Sequence, residues 1–138
     1  MLADSPIVPT LPASDMNRAM AWYKDKLGLT PIRDLGVGGQ LYSSGKTLFV
    51  IYPTAFAGTG KHTLGGWAVA DIDKEMADLR ARGVKFEDYA MGGQGPTTEN
   101  GVARDPDGGA AAWFVDSEGN TLSLTQLPPG MDIDNPAV

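Results

Sequence analysis

A chain of 138 residues with 42% hydrophobic and 20% charged residues has the balance of an ordinary globular protein, enough for one domain or two small halves sharing a core. A formal net charge of −6 leaves no basic surface to release counterions from phosphates, so nucleic acid is excluded as a partner. The absence of cysteine removes disulfides, thiolate nucleophiles and zinc–sulfur sites together. The longest apolar runs, such as Leu48–Ile51 and Ala110–Val115, are far too short to cross a bilayer, so no membrane partner is expected. The opening MLADSPIVPT has no basic stretch followed by an apolar run, and a cytoplasmic location is expected.

In chain order, Ile7–Leu11 reads as a strand, with Pro9 marking it as an edge or irregular one. Met16, Met20, Tyr23 and Leu27 then fall at helical spacing, with Asp15 placed to cap the helix and Gly28 to end it. Short strands are expected around Pro31–Leu35, Gly39–Ser43 and Thr47–Tyr52, with a hairpin at Ser44-Gly45-Lys46. Residues 53–63 are loop-like in their Pro, Gly and Thr content. The order then repeats. Gly65–Ala70 reads as a strand, Asp71 as a cap, and Ile72, Met76 and Leu79 as the apolar face of a second helix stopped at Gly83. Val84–Glu87 resembles a strand, while 87–109 is long, polar and Gly-rich and reads as a loop, either a binding element or a plain excursion. Ala110–Val115 and Thr121–Gln126 are the clearest strands, joined by a turn at DSEGN.

The two halves also match residue by residue. SDMNRAMAWY aligns with ADIDKEMADL, setting Asp15 against Asp71 and Met20 against Met76. SGKTLFV aligns with EGNTLSL, setting Leu48 against Leu122 and Phe49 against Ser123. Internal repetition of strand–helix–three strands constrains the fold more than local propensity does.

The stretches VPTLPASDMNRAMAWYKDKLGL, WAVADIDKEMADLRARGV and AAAWFVDSEGNTLSLTQ, in this order, resemble the vicinal oxygen chelate superfamily, which includes glyoxalase I, bleomycin-resistance proteins and extradiol dioxygenases. The resemblance covers most of residues 6–127. It implies an α+β fold of two βαβββ modules, whose curled mixed sheet surrounds a central cup, commonly within a homodimer. On this reading residues 1–138 form a single domain: a first module over 6–52, a linker over 53–63, a second module over 64–127 and a tail over 128–138.

Metal-using members of that superfamily place ligands at four inward strand positions. Carried onto this chain they fall on Val8, Phe49, Leu64 and Ser123, three hydrocarbons and a neutral hydroxyl, none of them a normal ligand for a divalent cation. A histidine-rich iron site is ruled out by the single histidine. That residue, His62, would lie on the face of Leu64, about 7 Å along the strand, but flanked by Lys61 and Thr63 it is expected to be solvated. No metal and no cofactor are expected.

Strand alternation from these positions gives a cup lined by Val8, Thr10, Phe49, Ile51, Leu64, Gly66, Ala68, Thr121, Ser123 and Thr125, with Leu48, Val50, Trp67 and Val69 behind. Tyr42 and Trp113 join the candidates as aromatic walls whose face alternation leaves undecided. The ligand-binding set is therefore Thr10, Tyr42, Phe49, Ile51, Gly66, Trp113, Ser123 and Thr125. A greasy surface with a few hydroxyls suits an apolar or aromatic small molecule. Two functions follow. One is metal-free binding, as of a drug or natural product. The other is a metal-independent isomerase, cyclase or lyase, with Glu87, Asp88, Tyr89 or Glu99 as proton shuttle. A metal-dependent glyoxalase or dioxygenase and a module without substrate stand behind these. Asp15, Asp71, Asp116 and Glu118 are expected to cap helices and shape turns.

Overall fold

The computed structural model describes residues 1–134, so the expected tail over 128–138 lies partly outside the described residues. The chain divides into two compact units, residues 1–61 with 116–120, and residues 62–115 with 121–138.

The first unit is a βαβββ module. Strand β1 (Thr10–Ala13) leads to helix α1 (Met16–Trp22), which closes through one wider turn at Tyr23–Leu27. Strands β2 (Arg33–Asp34), β3 (Gln40–Ser44) and β4 (Thr47–Pro53) follow. The sheet order is β1-β4-β3-β2, with β1 parallel to β4 and the other pairs antiparallel. Asp15 caps α1 by accepting from Arg18 N at 3.0 Å, and Gly28 ends the helical stretch at φ +70°.

The second unit repeats the plan. Strand β5 (Thr63–Val69), helix α2 (Ile72–Ala81), β6 (Val102–Arg104), β7 (Ala110–Val115) and β8 (Thr121–Gln126) form a sheet in the order β5-β8-β7-β6. Asp71 caps α2 by accepting from Lys74 N at 3.1 Å. Two βαβββ modules are thus present, as the repeat predicts.

One expected strand is misplaced. Val84–Glu87 forms no strand; only Phe86 bridges Phe114. The missing strand is β6, inside the stretch read as a loop, where Asp105–Gly109 turns the chain from β6 into β7. Three residues among glycines carry too little alternation to be seen from sequence.

Each sheet buries one face under its own helix. In the first unit Leu11, Ala13, Tyr42, Phe49 and Ile51 are buried with Ala19 of α1 and Tyr23 of the turn that follows it. The Tyr23 ring lies 6.1 Å from Tyr42 and 6.5 Å from Phe49, and Tyr42 stacks on Phe49 at 5.0 Å. In the second, Ala110, Ala112, Phe114, Leu122 and Leu124 are buried with Ile72 and Met76 of α2. The opposite face of each sheet is its open face.

Candidate binding faces

The register of β4 corrects the candidate set. Thr10 lies five residues before the cap Asp15 and pairs with Val50, while Gly66 lies five before Asp71 and pairs with Ser123. Val50, not Phe49, is therefore the counterpart of Ser123. The cause is one residue of turn length. Ser43↔Leu48 corresponds to Val115↔Thr121, enclosing four residues in the first unit and five in the second. A one-residue offset sends every later side chain to the other face.

Two candidates, Phe49 and Ile51, consequently leave the open face, and Tyr42, which alternation leaves undecided, lies with them. Phe49, Ile51 and Tyr42 sit in the helix-covered core at 7%, 1% and 0% exposure. Tyr42 Oη is a buried side-chain atom with no hydrogen-bond partner among the described residues. The open face of the first unit instead carries Thr10, exposed, with Val50 beside it and Leu48 and Tyr52 at 43% and 40% exposure.

The second unit matches expectation more closely. Gly66, Ser123 and Trp113 lie in one row across β5, β8 and β7, and Ala68, Thr125 and Ala111 in the next. Trp67 lies on the helix-covered face, in register with Leu124 and Ala112. Leu64 falls where the register shifts between Thr63 and Gly65, so alternation cannot assign it a face. Thr63, paired with Thr121, takes its place. Gly66, Ala68 and Thr125 are exposed, Trp113 is half-buried, and Ser123 is 9% exposed. A Cβ on Gly66 would collide with Ser123 Oγ and lie 2.7 Å from Ser123 O, so only glycine lets β5 close over the serine.

Trp113, undecided from sequence, is fixed on this face. Its Nε1 donates to Thr63 Oγ1 at 3.0 Å, and the Tyr89 ring meets it edge-on at 5.6 Å. Tyr89 comes from the segment read as a loop, and Glu87 N, two residues before it, donates to Trp113 O at 2.8 Å. Burial, then the Glu87 carboxylate, raise the Tyr89 phenol above its ordinary value. Of the other acid–base candidates, Asp88 is engaged in holding its own loop, accepting from Thr98 Oγ1 and Gly101 N at 2.8 Å each. These donors hold its carboxyl below the usual range.

The densest polar cluster belongs to the first unit and is structural. Glu118, its side chain 1% exposed, accepts from Ser14 N at 3.0 Å, Asp15 N at 2.9 Å and Arg18 Nε at 2.9 Å. Burial alone would raise its pKa, but Arg18, Asp15 N and Ser117 Oγ outweigh it and lower the group to about 2. Asp116 accepts from Tyr23 Oη at 2.6 Å, Glu118 N at 2.8 Å and Asn120 N at 2.9 Å. Burial, reinforced by Asp116, pushes the Tyr23 phenol far above its ordinary value. Asn120 Nδ2 donates to Pro12 O at 2.8 Å. With their lone pairs taken by backbone and side-chain donors, these carboxylates hold the turn in place. The sequence marks Asp116 and Glu118 as turn residues but does not reveal Arg18, 100 positions away, as Glu118's partner.

With Val50 replacing Phe49 and Thr63 replacing Leu64, the positions corresponding to family metal ligands are Val8, Val50, Thr63 and Ser123. They are two hydrocarbons and two neutral hydroxyls, a donor set that does not fit a divalent cation. His62 is exposed, and among the described residues no group of three His, Cys, Asp or Glu side chains could hold a metal ion. No described helix is long and apolar enough to cross a membrane.

Two four-stranded βαβββ sheets with parallel outer pairs define a fold class, and comparison agrees. The chain belongs to the glyoxalase/bleomycin resistance protein/dioxygenase superfamily, whose family model matches residues 7–124. Among solved structures it is similar to UcmS2, at 20% identity and a TM-score of 0.66 over 87% of this chain and 97% of that one. It is also similar to the lactoylglutathione lyase of Agrobacterium tumefaciens, at 17% identity and a TM-score of 0.63 over 88% and 93%. The fosfomycin resistance protein FosX of Listeria monocytogenes is similar at 13% identity and a TM-score of 0.67 over 91% and 93%. At these identities the likeness is one of fold. No curated protein matches the chain.

Proposed function

We propose that this protein binds a mostly apolar or aromatic small molecule on an open sheet face without a metal, in the manner of a drug- or natural-product-binding resistance protein. The observation that carries the reading is the open face of the second unit. Trp113 offers an aromatic wall there, oriented by Thr63, beside the hydroxyls of Ser123 and Thr125 and the bare backbone of Gly66. An aromatic surface with a few directed hydroxyls orients a flat organic ligand, and stacking adds about 0.5–1.5 kcal/mol per ring beyond burial. Thr10 contributes a hydroxyl to the open face of the first unit. An unpaired cation among hydrocarbons would instead cost many kcal/mol. The family's likeness to fosfomycin and bleomycin resistance proteins supports the class and leaves the ligand to experiment.

Calorimetry against planar aromatic compounds and glycopeptide antibiotics tests the reading. A ligand found this way is expected to lose about tenfold in affinity, about 1.4 kcal/mol, with Trp113→Ala. Thr125→Val is expected to change its selectivity. No binding across the panel, or binding indifferent to Trp113, overturns it.

One observation favours an enzymatic reading as the alternative. Tyr89 stands against Trp113 with its phenol held protonated by burial and Glu87, as suits a donor to a ligand carbonyl. Tyr89→Phe would then abolish turnover of a carbonyl substrate while leaving its binding intact.

A further inference from the structure

On the helix-covered side of the second sheet, α2 packs over β7 and β8 and leaves β6 partly uncovered. Between α2, β6 and the segment 97–100 lies a groove of about 470 Å³, within the size range of small-molecule sites. Asp73, Met76 and Arg80 line it at helical spacing from α2, Val102 and Arg104 at strand spacing from β6, and Glu99 from the loop between.

Both arginines are held in place yet keep donors to spare. Arg104 Nη2 donates to Asp73 Oδ1. Arg80 Nη2 donates to Asn100 O at 2.7 Å, and its guanidinium lies 5.3 Å from the centre of the Phe86 ring. Each planar fork has five N–H groups, so both can still receive a carboxylate. The Glu99 carboxylate has no partner among the described residues. The loop bearing it is braced by Asp88, and Gly101, at φ +82°, lets it approach closely: a Cβ there would lie 2.8 Å from Phe86 Cβ and 3.1 Å from Arg80 Nη2.

We propose that this groove binds a small zwitterion, an α-amino acid or dipeptide with an apolar side chain. Its carboxylate is received by Arg80 and Arg104, its ammonium by Glu99, and its side chain by Met76 and Val102. The charges select the class. Two guanidiniums and two carboxylates cancel, so a lone anion meets Asp73 and Glu99 as repulsion and a lone cation meets the arginines; only a ligand bearing both signs is matched at both ends. The site is separate from the open sheet face and stands whether or not that face binds anything.

The test is titration of the ¹⁵N-labelled full chain with L-leucine, N-acetyl-L-leucine, L-leucinamide and acetate, following backbone amide shifts. Leucine is expected to move the amides of Asn100, Gly101 and Val102 saturably, and each blocked form to bind about tenfold more weakly or worse. Glu99→Gln and Arg104→Gln, both at exposed positions, are expected to lose leucine binding while the remaining amides keep their wild-type positions. Absence of saturable shifts with leucine overturns the proposal. So does N-acetyl-leucine or acetate binding as well as leucine, or Glu99→Gln binding leucine unchanged.

Discussion

At the scale of single residues, Glu118 shows how a surface-type side chain becomes part of a core. Its carboxylate satisfies the exposed N–H groups at the start of α1 and the Arg18 fork at once, which is why it is tolerated at 1% side-chain exposure. Because its pKa in the folded chain is lowered from 4.5 to about 2, the group stabilises the fold fully above pH 4.5, and that contribution is lost as pH falls towards about 2. Glu118→Gln is expected to lower stability at pH 7 by about 2 kcal/mol and to flatten the loss seen in urea titrations between pH 5 and about 2. A variant as pH-sensitive as the wild type would assign the acid transition to other groups. Sequence reasoning placed Glu118 correctly in a turn and had no means of finding its partners, since spacing along the chain carries no record of a contact across 100 residues.

At the scale of elements, β4 is the instructive case. Its existence and limits were legible: Thr47–Tyr52 was expected and Thr47–Pro53 found. Its facing was not. Gly45 and Gly119 match in turns that differ by one residue, which turns Phe49 and Ile51 to the wrong face, whereas the first strands, anchored on the caps Asp15 and Asp71, put Thr10 and Gly66 on the open faces. A cap is a fixed point of backbone geometry; a turn glycine is not. Substitution separates the two registers. Phe49→Ser removes a ring packed against Tyr42 and should cost about 3–5 kcal/mol, whereas Val50→Ser on the open face should cost under about 1.5 kcal/mol, read from urea midpoints. The reverse order would restore Phe49 to the open face. β6 was missed for a different reason: its pairing with β7 is set by tertiary contact, not by any pattern within Val102–Arg104.

At the scale of the whole molecule, the repeat makes the two-module plan legible in the sequence, because each half carries its own cap, helix stop and terminal hairpin. Function was less legible, since it depends on which face each strand shows. Assembly is read from the surface. β2 is only two residues long and is flanked by Ile32 at 58%, Leu35 at 46% and Val37 at 99% exposure. An apolar strip beside an unpaired edge favours association. Sedimentation at micromolar concentration is therefore expected to give a homodimer, and Val37→Lys with Ile32→Lys a monomer. A wild-type monomer would show that this edge stands alone.

The turn at Asp116–Asn120 has a consequence for how the chain is made. The first unit counts these five residues among its own, and Ser14 N, Asp15 N and Pro12 O have their partners there. A nascent chain emerging from the ribosome therefore holds the first module's helix and four strands long before it holds the piece that completes them. The early module must wait, its polar groups met by water, until β5, α2, β6 and β7 have all been translated.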